Sequence, residues 1–173
     1  MNETPPPAPA TATAPLPSRR FEGRNDFREL LRNALAQAAG EGWREIIMSD
    51  ADFHDWPLGE RAVIESLNAW ATGGRQVILL ARRYDAVVRN HARFVQWRGS
   101  WSHIVSAWAC PSADALELPS ALWTPGWVLD RIDPVRSNGY CGTEPERRLL
   151  LRERLDGWVH KSAPSFAATT LGL

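Results

Sequence analysis

The sequence predicts an α/β domain, a layered helix–sheet–helix arrangement built around a mostly parallel sheet. Three observations carry that expectation. Ile46-Ile47-Met48 and Val77-Ile78-Leu79-Leu80 are short runs apolar at every position, the pattern of strands buried on both faces. Between them, Val63, Ile64, Leu67, Trp70 and Ala71 recur at helical spacing until Gly73-Gly74 ends the segment. A strand, a helix and a second strand in this order make a right-handed crossover between parallel neighbours.

The elements follow in order along the chain. Residues 1–22 are rich in Pro, Ala and Thr, with too little apolar surface to offset the entropy of ordering, so they are expected to form a disordered tail. One folded domain is expected over 23–161, followed by a C-terminal tail over 162–173. Asn25 is placed to cap a first helix carrying Phe27, Leu30, Leu31, Ala34, Leu35 and Ala38, which Gly40 and Gly42 end. The first strand ends at Met48, and the second helix runs from near Pro57-Leu58-Gly59 to the double glycine. After the second strand, Asp85 can cap a third helix with Val87, Val88, His91, Phe94, Val95 and Trp101 inward. Ile104–Ala109 reads as a third strand closed by Pro111. Leu116 to Arg131 reads as a loop and then a hairpin turning at Thr124-Pro125-Gly126, with Gly126 taking the positive dihedral. Thr143 and Glu146 have capping-box spacing for a last helix with Leu151, Leu155, Trp158 and Val159 inward.

Composition bounds the function. The 173 residues are 44% hydrophobic and 23% charged with a formal net charge of zero, enough for one domain with a real core. Without a net field, neither nucleic acid nor an anionic membrane is expected as a partner. Lys161 is the single lysine, which narrows any lysine-dependent chemistry to that residue. Cys110 and Cys141 are too few for a disulfide framework and lack metal-pair spacing. No signal pattern or membrane-length apolar run occurs, and a cytoplasmic protein without a cofactor is expected.

Candidate sites cluster after the first strand. In open α/β sheets, ligands bind beyond the carboxyl ends of the strands, and there the sequence places Asp50, Asp52, His54 and Asp55. Asp50 and Asp52 could hold a hard cation such as magnesium. A charge asymmetry offers another account. From Glu41 to Glu65 seven acids face two arginines, a net of −5, whereas from Arg75 to Arg98 six arginines face only Asp85, a net of +5. If the strands are neighbours, Asp50 and Asp52 can pair with Arg82 and Arg83 as partly exposed ion pairs of about 0–1 kcal/mol. Alternatively, Arg82, Arg83 and Arg89 bind an anion or nucleotide. No histidines stand at i, i+4, so no zinc site is expected. Of nine tryptophans, Trp70, Trp101, Trp108, Trp123, Trp127 and Trp158 fall on inward positions. Trp56 and Trp97 are the candidates for an exposed partner surface.

Asp50-Ala51-Asp52 after an apolar strand is similar to the nucleophile loop of haloacid-dehalogenase-type phosphatases. It departs from that pattern at His54, where those enzymes carry Thr, and in having its one lysine in a terminal segment. A longer resemblance covers Asp26 to Lys161. A leading helix ends before Trp43-Arg44-Glu45-Ile46-Ile47-Met48. The next helix then ends in Ala71-Thr72-Gly73-Gly74-Arg75-Gln76-Val77-Ile78-Leu79-Leu80. This resembles one repeat of the phospholipase D-like superfamily, and more narrowly an uncharacterised bacterial domain of that kind. Chemistry in that family requires His-x-Lys-x4-Asp, with His as nucleophile and Lys on the phosphate. Here Ala121-Leu122-Trp123-Thr124-Pro125-Gly126-Trp127-Val128 stands at that place, and Asp130 has no such pair to orient. The resemblance implies a scaffold without its catalyst, and by analogy with single-repeat members a homodimer. The expectation is therefore a non-catalytic binding or regulatory module for a protein partner or small anion. The rivals are a metal-dependent phosphohydrolase at Asp50 and Asp52, and an anion or nucleotide binder at Arg82 and Arg83.

Overall fold

A computed structural model describes residues 14–167. The elements in chain order are β1 (Arg19–Phe21), α1 (Arg24–Glu41), β2 (Glu45–Ser49), α2 (Arg61–Trp70), β3 (Gln76–Ala81), α3 (Asp85–Asn90), α4 (Ala92–Ser100) and β4 (Val105–Ala109). They continue with β5 (Ala121–Trp123), β6 (Val128–Asp133), β7 (Asn138–Gly142), α5 (Pro145–His160) and β8 (Ala163–Pro164).

All eight strands form one sheet in the order β1-β7-β6-β5-β2-β3-β4-β8. Only β2/β3 and β3/β4 pair in parallel, with Ile46 opposite Val77 and Leu79 opposite Ala107. The pairs β1/β7, β7/β6, β6/β5, β5/β2 and β4/β8 are antiparallel. The expectation of a mostly parallel sheet is therefore corrected to a mixed, mostly antiparallel one. The reason is connection length: β5, β6 and β7 are joined by turns too short for a crossover, so each must reverse direction. The parallel crossovers are confined to the segments with helices between strands.

Both faces of the central strands are covered. Phe27, Leu31 and Leu35 of α1, with Val63 and Leu67 of α2 and Phe94 of α4, pack on Ile46, Met48, Val77 and Leu79. Leu151 and Leu155 of α5 pack on Ile47, Leu80 and Val128 from the opposite side. The alternation of facing residues along β2 and β3 follows the two-residue period of a strand.

Several local expectations are revised. Residues 1–13 of the expected tail, and 168–173 at the other end, lie outside the described residues. Within the tail, however, Arg19–Phe21 pairs with Gly139–Cys141, and Phe21 is buried. Helix α1 starts from Gly23, whose φ of 86° takes the place expected for an Asn25 cap, and it ends at left-handed Gly42 (φ 65°). The third expected helix breaks into α3 and α4 at His91, whose buried Nε2 donates to the Phe53 carbonyl at 2.9 Å. Neither Asp85 nor Thr143 caps a helix with its side chain, and α5 begins instead with Pro145 in its first turn. At the β5–β6 turn, Thr124 Oγ1 donates to the Trp127 carbonyl and accepts from the Trp127 amide. Gly126 is not among the positive-φ glycines; a Cβ there would meet Trp43 Nε1 at 2.9 Å. Trp56 and Trp97 are only 1% and 3% exposed, so neither offers a partner surface.

Candidate functional site

Beyond β2 the backbone turns sharply, and the Asp50 side chain holds the turn. Its Oδ2 accepts the amides of Asp52 (3.2 Å) and Phe53 (2.8 Å), and Phe53 adopts a positive φ of 59°. Its Oδ1 accepts Ser120 Oγ at 2.6 Å and Arg131 Nη2 at 2.9 Å. Asp55, five residues on, accepts Arg131 Nη1 at 2.7 Å and Nη2 at 3.2 Å. Arg131 completes its bonding through Nε to Ser120 Oγ (2.9 Å) and Nη1 to Ser137 Oγ (3.2 Å). A guanidinium has five N–H donors, and these five bonds use them all. Its plane lies over the Phe27 ring of α1, with Cζ 4.0 Å from the centroid.

The cluster is closed to solvent: Asp50 and Arg131 are each 3% exposed and Asp55 9%. Burial works to raise the Asp55 carboxyl, but the hydrogen bond and charge of Arg131 outweigh it and hold the group below the ordinary carboxylate range. Arg131 is correspondingly pushed up: burial opposes its charge, and the two aspartates overcome that opposition. With both oxygens of Asp50 occupied by two donors each, a cation could enter only by dismantling the cluster. Among the described residues no group of three His, Cys, Asp or Glu side chains is set to hold a metal ion.

The other expected site residues are spread along the rim. Asp52 and His54 are half exposed and pair with each other, Nδ1 to Oδ1 at 2.7 Å. Burial lowers the affinity of His54 for its proton, but the Asp52 hydrogen bond and the neighbouring acids more than reverse this, so its pKa is raised. Arg82 donates its amide to the Ala51 carbonyl at 3.0 Å, while its side-chain Nε is buried without a partner. Arg83 and Arg89 are exposed. Among the described residues none of these three arginines makes an ion pair, so the expected pairing of Asp50 and Asp52 with Arg82 and Arg83 is not formed. Arg131 takes that role. Sequence reasoning passed over it, although Leu129 and Arg131 stand two apart on β6 and so must share the inward face. Asp130, on the opposite face, pairs with Arg154 of α5 at 2.8 Å.

No family model and no curated protein matches this chain. Its fold is similar to that of TrmBL2. TrmBL2 is an archaeal chromatin protein whose structure shows a novel mode of DNA binding; the match has a TM-score of 0.61 at 12% identity. It covers 95% of this chain but only 57% of TrmBL2. This finding overturns the phospholipase D-like resemblance and the bacterial parallel attached to it. That resemblance rested on the order of helix–strand units, which unrelated sequences share, and not on a chemical motif. The exclusion of nucleic acid on net charge falls with it, because a protein of similar fold binds DNA and a formal net charge says nothing of how arginines are distributed. No helix among the described residues is long and apolar enough to cross a membrane.

Proposed function

We propose that this chain is a non-catalytic binding module. The observation that supports this reading is the saturated Asp50–Arg131–Asp55 cluster. It occupies the end of the parallel strands, where an α/β enzyme would keep its reactive carboxylates open, and it spends them on holding the fold. The test is turnover of p-nitrophenyl phosphate and bis-p-nitrophenyl phosphate by the purified chain with magnesium or manganese. No rate above buffer is expected. Turnover abolished by Asp50→Asn would overturn the reading and restore the metal-dependent hydrolase.

The partner chemistry that fits is polyanionic, with Arg82, Arg83 and Arg89 as its contacts. These arginines are unpaired among the described residues and lie at the rim beyond β3. Duplex DNA is the first polyanion to test, since TrmBL2, whose structure this chain matches in part, is a DNA-binding protein. Because this chain spans 57% of TrmBL2, the measurement must use this chain itself. Fluorescence anisotropy of a labelled duplex should rise with protein, weaken steeply with salt, and fall in Arg83→Ala/Arg89→Ala. An unchanged anisotropy at low salt would remove DNA and leave the non-catalytic reading intact. Two free, buried cysteines suit a reducing, cytoplasmic setting.

A further inference from the structure

Arg131 and Arg98 are both buried arginines, and their surroundings are opposite. Arg131 has all five donors engaged. Arg98, on α4, is only 7% exposed, yet its Nε and Nη1 are buried with no hydrogen-bond partner, and among the described residues it makes no ion pair. The ring of Phe166, 5.9 Å from its Cζ, offers a weak cation–π contact only. A guanidinium partly removed from water without a counter-charge is unfavourable, and burial lowers its pKa accordingly. Buried cations in folded proteins are usually paired, and among the described residues this one is not.

Beside it lies a cavity of about 570 Å³, bounded by Arg98, Ser106, Ala107, Trp108, Ser165 and Phe166. That volume is within the range of small-molecule sites, about 300–1,000 Å³. The cavity exists because the chain after α5 crosses the outer edge of β4. Pro164 sits opposite Trp108, the Ser165 amide donates to the Ala107 carbonyl at 2.9 Å, and Phe166 stacks on Tyr84 at 4.9 Å. The Tyr84 hydroxyl donates to the Trp108 carbonyl at 2.7 Å and makes no hydrogen bond with Arg98. Among the described residues the lining is apolar apart from the two serines and the guanidinium.

We propose that this cavity binds a small monocarboxylate with an apolar body, its carboxylate pairing with Arg98 and its hydrocarbon lying along Trp108 and Phe166. One guanidinium neutralises one negative charge, which favours a carboxylate over a dianionic phosphate. The apolar walls favour a hydrocarbon tail over a polar metabolite.

The test is calorimetric titration of the full chain with octanoate, octan-1-ol and inorganic phosphate. Octanoate should bind saturably, with the alcohol and phosphate each at least tenfold weaker. Arg98→Met should weaken octanoate at least tenfold, and Arg98→Lys should restore part of the loss. If Arg98→Met does not fold, amide spectra of the wild type decide. Octanoate-induced shifts confined to Ser106, Ala107, Ser165 and Phe166 support the site, and shifts elsewhere or none overturn it. No saturable octanoate binding, equal binding of octan-1-ol or phosphate, or undiminished binding by a folded Arg98→Met protein would each also overturn it.

Discussion

Replacing Arg131 with Met removes the guanidinium while keeping much of the side-chain volume over Phe27. Five hydrogen bonds vanish together, and two carboxylates with 3% and 9% exposure lose their cation. Removing one member of a buried ion pair typically costs about 3–5 kcal/mol, because the remaining charge is stranded. Against a total stability of about 5–15 kcal/mol, that is a large fraction. For a domain of this size, each 1 kcal/mol moves the melting temperature by about 2–4 °C, so a fall of roughly 6–20 °C is expected. The companion variant Asp50→Asn/Asp55→Asn/Arg131→Met removes the stranded charges as well and should recover most of the loss. Urea unfolding followed by tryptophan fluorescence, with thermal scans at matched pH, measures both. Loss of less than about 1 kcal/mol in Arg131→Met, the low end expected for an unmade buried hydrogen bond, would refute the argument. So would a triple variant no more stable than the single one.

Other expectations follow from the same structure. Because Asp55 is held below its unfolded value, near 4, its stabilising contribution is present above that value. It is lost as pH falls through the lower folded value, so acid unfolding of the wild type should begin there and Asp55→Asn should flatten it. His54 has a raised pKa, so its contribution is present below its unfolded value of about 6.5 and is lost as pH climbs through the folded one. Proton NMR should place the His54 transition above that of a free histidine and return it in Asp52→Asn. Gly139→Ala would bring a Cβ to 2.0 Å from the Asp130 carbonyl oxygen and 2.9 Å from Arg131 Cα. Backbone cannot yield there, so a loss of about 3 kcal/mol or more in urea unfolding is expected. Millimolar magnesium should leave the melting temperature unchanged, since binding to the native state alone would raise it.

What could be read from the sequence was the half of the sheet whose strands are greasy on both faces. β2 and β3 fall where Ile46-Ile47-Met48 and Val77 to Leu80 placed them, because burial from two sides leaves no polar alternation to confuse, while β4, half-buried on one face at Ser106 and Trp108, falls within the Ile104 to Ala109 run. The antiparallel half was obscure for the opposite reason. β1 is three residues with one apolar side chain, and β7 is Asn-Gly-Tyr-Cys-Gly, so neither carries a periodic signal. Proximity to the acidic loop was judged from sequence neighbours, which favoured Arg82 and Arg83. Arg131 reaches Asp50 from 81 positions away, and only the folded register brings it there. Trp56 misled because polar neighbours in sequence suggested exposure, whereas Phe27 and Phe53 enclose its ring edge-on in the structure.

The pairing of Arg19–Phe21 with β7 bears on where the chain can safely be cut. A truncation beginning at Gly23 would keep every helix and yet strip the outermost rung from the ladder. It would bare the hydrogen-bonding side of β7 and remove the Pro17 carbonyl that receives the Trp127 indole. A naked sheet margin of that kind recruits other chains, so the shortened protein should clump and the version retaining residues 14–22 should stay dispersed.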